Sequence, residues 1–198
     1  MPAFVWRLLR SNETMNSKKS DSTEWLKRYA DQVCTAEQAI KHIKSGDSIF
    51  IGTGCGQPQH LVKALVEHSQ HIYDAHVVHL LTMGAAPYAD EKFREKFKMN
   101  TFFIAENVRD ALAKGIGDYT PIFLSEIPGE FEDGRIPIDV ALISISPPDA
   151  RGLCSLGVSV DIVKSAAANA KYVIAQVNAN PELRNNAKAP PKVLAFFL

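Results

Sequence analysis

The residues best equipped for chemistry sit in two loops, each fed by a short apolar run. Gly52-Thr53-Gly54-Cys55-Gly56-Gln57-Pro58 follows Ser48–Ile51. Its glycines let backbone N–H groups close on a ligand, and the helix expected to start next favours an anion or oxyanion. The second loop, Ser146–Ser159, follows Val140–Ile145. Pro147 and Pro148 end that strand abruptly, because each fixes φ and removes a donor. Asp149, Arg151, Ser155 and Ser159 then form a polar set without a core role, while Gly152 and Gly157 give the chain room to turn. A plain connector needs only about two to six residues, so this longer one reads as a loop that builds a site. Gly84–Tyr88 and Glu106–Asn107 are the other candidate loops.

Several chemistries fail on spacing. A dinucleotide fingerprint needs Gly-x-Gly-x-x-Gly, yet the third glycine is replaced by Gln57 or Gln59, depending on register. Asp74, the acid expected further on, precedes the next strand instead of ending it. No Gly-Lys-Ser/Thr follows, so a Walker loop is absent too. His76 and His79 are three apart on a strand and face opposite sides, and His68 and His71 could be helix neighbours but have no acidic or cysteine partner at ligand spacing, so no metal is expected. Ser155 lacks the Gly-x-Ser-x-Gly elbow, and neither it nor Cys154 has a recognisable base. Glu106 is a weak candidate for a catalytic carboxylate, whereas Glu126 and Glu130 read as caps and surface charge.

The elements that would position these loops alternate. Trp25, Leu26, Tyr29 and Val33 mark a helix over 23–33, with Ser22 and Thr23 as caps. Thr35-Ala36-Glu37-Gln38 is a capping box that opens a second helix, stopped by Gly46. Strands are expected at 48–51, 76–83, 101–105, 122–124, 140–145 and 172–177. Helices are expected from Gln59 to about His68, at 90–97 with Phe93 and Phe97 one turn apart, from Asn107 to Lys114, and after Asp161. Strands separated by helices make parallel βαβ units, with the sheet covered on both faces. The expected fold class is α/β, a parallel-sheet three-layer sandwich. Ligands gather at the carboxyl ends of strands in such sheets.

At 198 residues the chain fits one domain with tails. Lys plus Arg and Asp plus Glu balance at 22 each, so nothing favours nucleic acid or an anionic membrane as a partner. Three scattered cysteines, Cys34, Cys55 and Cys154, indicate a reducing compartment, read as the cytoplasm. Arg7 and Arg10 among apolar residues give a faint transit-peptide character, leaving the mitochondrion as the lesser reading. No apolar run reaches the ~20 residues of a membrane span.

Ser146-Pro147-Pro148-Asp149, Gly152 and Cys154–Asp161 resemble a loop of the acetyl-CoA hydrolase/transferase family, which includes acetate, succinate and 4-hydroxybutyrate CoA-transferases. Ile51–Gly54, Asn107-Val108-Arg109, Gly117–Pro121, Leu124–Pro128 and Val173–Asn178 agree, in order. The resemblance covers only the amino-terminal half of such enzymes and implies their NagB/RpiA-like fold. It implies that acyl-CoA and a small carboxylic acid are substrates, with no permanently bound cofactor. It also implies a glutamyl-CoA intermediate whose glutamate lies in the family's second half and has no counterpart here. Residues 1–22 are then a tail or an over-extended start and 23–180 the domain. Residues 181–198 leave the family pattern at Pro181, as a broken reading frame would. The expected substrate-binding residues are Gly54, Gly56, Gln57, Pro58, Asn107, Ser155, Gly157 and Ser159. The expected partners are the missing half or a separate subunit, and further copies of the chain. A non-catalytic α/β remnant is the competing reading, and a nucleotide-binding module the third.

Overall fold

The computed structural model describes residues 24–178 and the backbone of 193–197. Seven parallel strands form one sheet: β1 (Ser48–Ile51), β2 (Ala75–His79), β3 (Phe97–Thr101), β4 (Gly117–Tyr119), β5 (Val140–Ile145), β6 (Tyr172–Val177) and β7 (Val193–Phe197). Their order is β4-β3-β2-β1-β5-β6-β7. The chain winds outward from β1 through β2, β3 and β4, then returns to β1's other side with β5. The point where the winding reverses therefore lies between β1 and β5, where Ile49, Phe50 and Ile51 pair with Val140, Ala141 and Leu142.

Alternation along the strands builds two cores. Phe50, Val78, Ala141, Ile143 and Val173 face one way and pack with Trp25 of α1 (Glu24–Arg28), Ile127 and Phe131 of α5 (Ile127–Glu132), and Val163 and Ala166 of α6 (Val163–Asn169). Ile49, Ile51, Val77, Met99, Leu142 and Ile174 face the other way. They meet Ile40 of α2 (Ala36–Ile40), Leu61 and Leu65 of α3 (Gln59–Glu67), and Val108 of α4 (Glu106–Ala113). Helices on both faces of a parallel sheet make the expected three layers.

Strands β1, β5 and β6 and helix α3 match the sequence reading, as does the capping box. The Thr35 hydroxyl accepts from Gln38 N at 3.2 Å, and the Gln38 amide oxygen from Thr35 N at 3.0 Å. Other boundaries move. Helix 23–33 is split into α1 and a 3₁₀ turn at 30–32, and its proposed caps at Ser22 and Thr23 lie outside the described residues. The second helix ends at Ile40; Gly46, at φ +80°, forms the turn into β1. β2 stops at His79. Only 91–93 of the 90–97 stretch is helical, as a 3₁₀ turn, and Phe97 opens β3, which ends at Thr101. The aromatic pair survives as an edge contact between Phe93 and Phe97, 6.2 Å apart. The strand expected at 122–124 lies instead at β4, because Gly117–Tyr119 is what reaches β3, at Met99–Thr101. Helix α5, interrupted in sequence by Pro128 and Gly129, was not anticipated.

Candidate functional site

Loops after the carboxyl ends of β1, β2, β3 and β5 lie on one edge of the sheet. The loops after β1 and β5 flank the winding reversal, which is where open α/β sheets place their ligands. A cleft opens there. Cys55, Gly56 and Gln57 form its β1 side, and Ser144 and Ile145, at the end of β5, its floor. Leu156, Gly157 and Val158 form the opposite side, with Gln176 and Asn178 from the end of β6. None of the described residues in this lining carries a charge.

Side-chain hydrogen bonds hold the loops to one another. Thr53, buried, donates from Oγ1 to Asp161 Oδ2 at 2.5 Å. Gly56 N donates to Ser159 Oγ at 3.1 Å. A Cβ on Gly56 would lie 3.0 Å from the Ser159 Cβ, so a larger residue there would have to push the Ser159 side chain back. Gly54, at φ +53°, donates to Leu81 O at 2.7 Å and ties the β1 loop to the β2 loop. Within the β5 loop, Asp149 Oδ1 accepts from Arg151 N at 2.9 Å and Leu153 N at 2.8 Å, an Asx turn that shapes the tip. Ser146 and Ser155 staple its base: Ser155 N donates to Ser146 Oγ, and Ser146 N to Ser155 O, each at 2.9 Å.

Gln57 is the main tie on the β2 side. Its amide oxygen accepts from Gly84 N at 2.8 Å and its amide nitrogen donates to Ala85 O at 2.9 Å, both from a buried position. Asn107 continues the tie, donating to Thr82 Oγ1 at 2.9 Å and to Gly84 O at 2.7 Å. Replacing Gln57 with leucine keeps the volume but removes both bonds. The expected loss is about 2–3 kcal/mol, seen as a lower urea midpoint with faster amide exchange at Gly84. An unchanged midpoint would refute the role.

The expected site residues therefore separate. Gly56, Gln57 and Gly157 line the cleft. Gly54, Pro58, Ser155 and Ser159 sit in the loops that build it. Asn107 and the exposed Glu106 open α4 away from the lining, Asn107 acting on the β2 loop. Ser144, Gln176 and Asn178 were not singled out as site residues. The signal was available: each is a polar residue at the carboxyl end of an otherwise apolar strand. Cys55 is exposed at the cleft. Cys154 is buried, and burial first, then the Asp149 carboxylate, push its thiol up to about 12, so it stays protonated. No group of three or more potential metal ligands occurs among the described residues.

Behind the β2 loop lies a buried polar pair. The His79 ring packs edge-on to Tyr88, 5.8 Å between centroids. Thr101 Oγ1 donates to Phe103 O at 2.8 Å, so it receives the proton of His79 Nδ1, 3.3 Å away. That tautomer leaves His79 Nε2 as a bare acceptor with no partner among the described residues, while the buried Tyr88 hydroxyl lies beside Thr82. Burial lowers the His79 imidazole to about 4 and raises the Tyr88 phenol.

Comparison with known proteins agrees with the fold. Residues 15–187 match the model of the acetyl-CoA hydrolase/transferase N-terminal domain. A 4-hydroxybutyrate coenzyme A transferase of Clostridium kluyveri is 41% identical over 157 residues, 79% of this chain and 37% of that protein. A succinyl-CoA:acetate/propanoyl-CoA:succinate CoA transferase of Fasciola hepatica is 38% identical over 153 residues, 76% of this chain and 32% of that one. The crystal structure of a 4-hydroxybutyrate CoA-transferase from Porphyromonas gingivalis superposes with a TM-score of 0.71 at 25% identity, covering 88% of this chain and 41% of that one. The chain thus spans about a third of the length of the curated relatives it matches. With the family model matching most of its length and the fold in agreement, the chain belongs to the acetyl-CoA hydrolase/transferase family and corresponds to the N-terminal domain of those enzymes.

Proposed function

We propose that this chain supplies the amino-terminal domain of a cytoplasmic enzyme that moves coenzyme A between an acyl-CoA and a small carboxylic acid such as acetate. A cleft at the winding reversal, built from glycine-rich and amide-bearing loops but without a carboxylate, is the observation that carries this reading. Such a lining can orient an acyl group and offer N–H donors to an oxyanion, but its described residues include no carboxylate to act as the nucleophile. In the chemistry proposed, a glutamate carboxylate outside this chain attacks the thioester and expels CoA as thiolate, leaving an acyl-glutamyl anhydride. The thiolate then attacks the glutamyl carbonyl of the anhydride, releasing the first acid and forming glutamyl-CoA. The second acid's carboxylate attacks that thioester, and the thiolate finally captures the new acyl group and frees the glutamate. Water in place of the second acid would make the outcome hydrolysis.

The remainder of the enzyme has a natural seat. Met83, Phe103, Tyr119, Phe123, Leu124 and Val158 are large, apolar and exposed, and each ends a strand or follows one at the same edge as the cleft. An apolar rim of that kind marks a surface that a partner covers, and it would favour self-association of the chain alone. None of the helices among the described residues is long and apolar enough to cross a membrane, so the rim is read as a protein contact.

Exchange of labelled acetate into acetyl-CoA, with butyryl-CoA and succinyl-CoA also tried as donors, tests the proposal. The chain is assayed alone and co-purified with the part of the Clostridium kluyveri relative that it does not cover. Exchange is expected only from the pair. Exchange by the chain alone would put a nucleophile within it, with Glu106 the first residue to mutate. Silence from a folded pair would favour the non-catalytic remnant, to which the lack of a carboxylate in the cleft also points.

A further inference from the structure

Two polar side chains on the cleft floor keep hydrogen-bonding groups that no described residue engages. Ser144 on β5 and Gln176 on β6 are register partners on neighbouring parallel strands, so their side chains leave the same face of the sheet about 5 Å apart. Both line the cleft. Gln176 is anchored at one end only: its Oε1 accepts from His60 N, in the first turn of α3, at 3.2 Å. That bond decides which way the amide points, because only the oxygen can accept. Its Nε2 therefore faces away from α3, and among the described residues no group accepts from it. The Ser144 hydroxyl likewise has no hydrogen-bond partner there.

A neutral amide donor and a hydroxyl donor side by side, with Ile145, Leu156 and Val158 beside them, suit one kind of group. We infer that Ser144 and Gln176 form the subsite for the carboxylate of a short-chain monocarboxylic acid, one oxygen on each donor and the alkyl tail against the apolar wall. The inference rests on the transferase reading and names where the free acid sits in it. Backbone amides alone would not require a polar side chain at the penultimate position of each of two adjacent apolar strands. Among the described residues the lining is uncharged, which also separates this subsite from one for a dicarboxylate, whose second charge would have no counterpart among them.

The test is titration of the ¹⁵N-labelled chain with sodium butyrate, followed by NMR at constant ionic strength. The Gln176 side-chain NH₂ signals, assigned by their loss in Gln176→Glu, should shift saturably. Gln176→Glu keeps an oxygen for His60 N but replaces the donor with a repelling carboxylate, and should weaken binding about tenfold or more. Ser144→Ala should weaken it about threefold to tenfold, with the thermal midpoint of each variant confirming that it folds. No shift, or equal shifts with sodium chloride, would overturn the subsite, the latter leaving an adventitious ion only. Equal affinity for methyl butyrate would also overturn it, since the donors would then be reading a carbonyl. These readouts need no turnover. Butyrate binding without exchange by the co-purified pair would remove the transferase reading and keep the subsite; exchange without binding would do the reverse.

Discussion

Replacing Phe131 with alanine is expected to cost about 4 kcal/mol, close to half the stability of an ordinary domain. The ring is buried between the sheet and α6, edge-on to Phe50 at 5.9 Å and tilted against Phe102 at 6.3 Å. Truncation would remove both aromatic contacts and leave a void that Ile127 and Val163 are too constrained to fill. The helix around it has little strength of its own. α5 is six residues long, contains Pro128 and Gly129, and has no side-chain N-cap, so its burial, and not its propensity, holds it in place. Urea unfolding measures this directly: with a slope of about 2 kcal/mol per molar, the midpoint should drop by about 2 M. Phe131→Leu, which keeps most of the volume, should lose less than half as much. A loss under about 1.5 kcal/mol for the alanine variant would mean that the two rings relax into the gap and that α5 is held by other contacts.

Acid should find the buried imidazole before it finds the carboxylates. His79 has an ordinary value of 6.5 and is held near 4 in the folded chain by burial. Above pH 6.5 neither state binds the proton, and the group contributes no pH dependence. Between 6.5 and 4 the unfolded chain takes up a proton that the folded chain refuses. Stability therefore falls as pH falls through that window and levels off below it. The full loss is about 3 kcal/mol, measured as urea midpoints from pH 7.5 to 4. Glu37, Asp74, Asp90 and Glu130 are shifted downward by their lysine or arginine partners, so their share of the acid loss centres lower. His79→Gln should flatten the curve between pH 6.5 and 4.5 whatever its effect on stability at pH 7. A slope that survives the substitution would assign the acid sensitivity to another group.

How much of this could be read in the sequence differs from one element to the next. Ser48–Ile51, Val140–Ile145 and Tyr172–Val177 are central strands, buried on both faces, and a run of apolar residues bounded by glycine, proline or polar residues is enough to find them. Gly117–Tyr119 is an edge strand of three residues with one neighbour, and nothing in Gly-Asp-Tyr signals it. The pattern at Ile122–Leu124 looks more strand-like, yet Phe123 and Leu124 are exposed and contribute nothing to the core. Helix α5 escapes notice for a related reason: Pro128-Gly129 reads as a turn, although Pro128 sits in the first helical turn where proline is tolerated, and the burial of Phe131 holds so short a helix in place. In the site, the loops were legible because turn chemistry is local. The Thr53–Asp161 clasp, the Gln57 tie and the Ser144–Gln176 pair were not, since each joins residues far apart in the chain that only the sheet order brings together.

That sheet order also sets when the cleft can exist. β1 finds β2 early, since Ser48 lies opposite His76. Its other edge waits for β5, and the bond from Ser48 N to Asp139 Oδ2 closes across 91 residues. Closing so long a loop is entropically costly and slows folding. During synthesis, a chain finished through β4 would carry one open edge of β1 and only one wall of the crevice. The floor, with Ser144 and Gln176, arrives only with β5 and β6. The crevice is thus among the last parts of the domain to form, and until then the edge of its central strand is open to pairing with another chain.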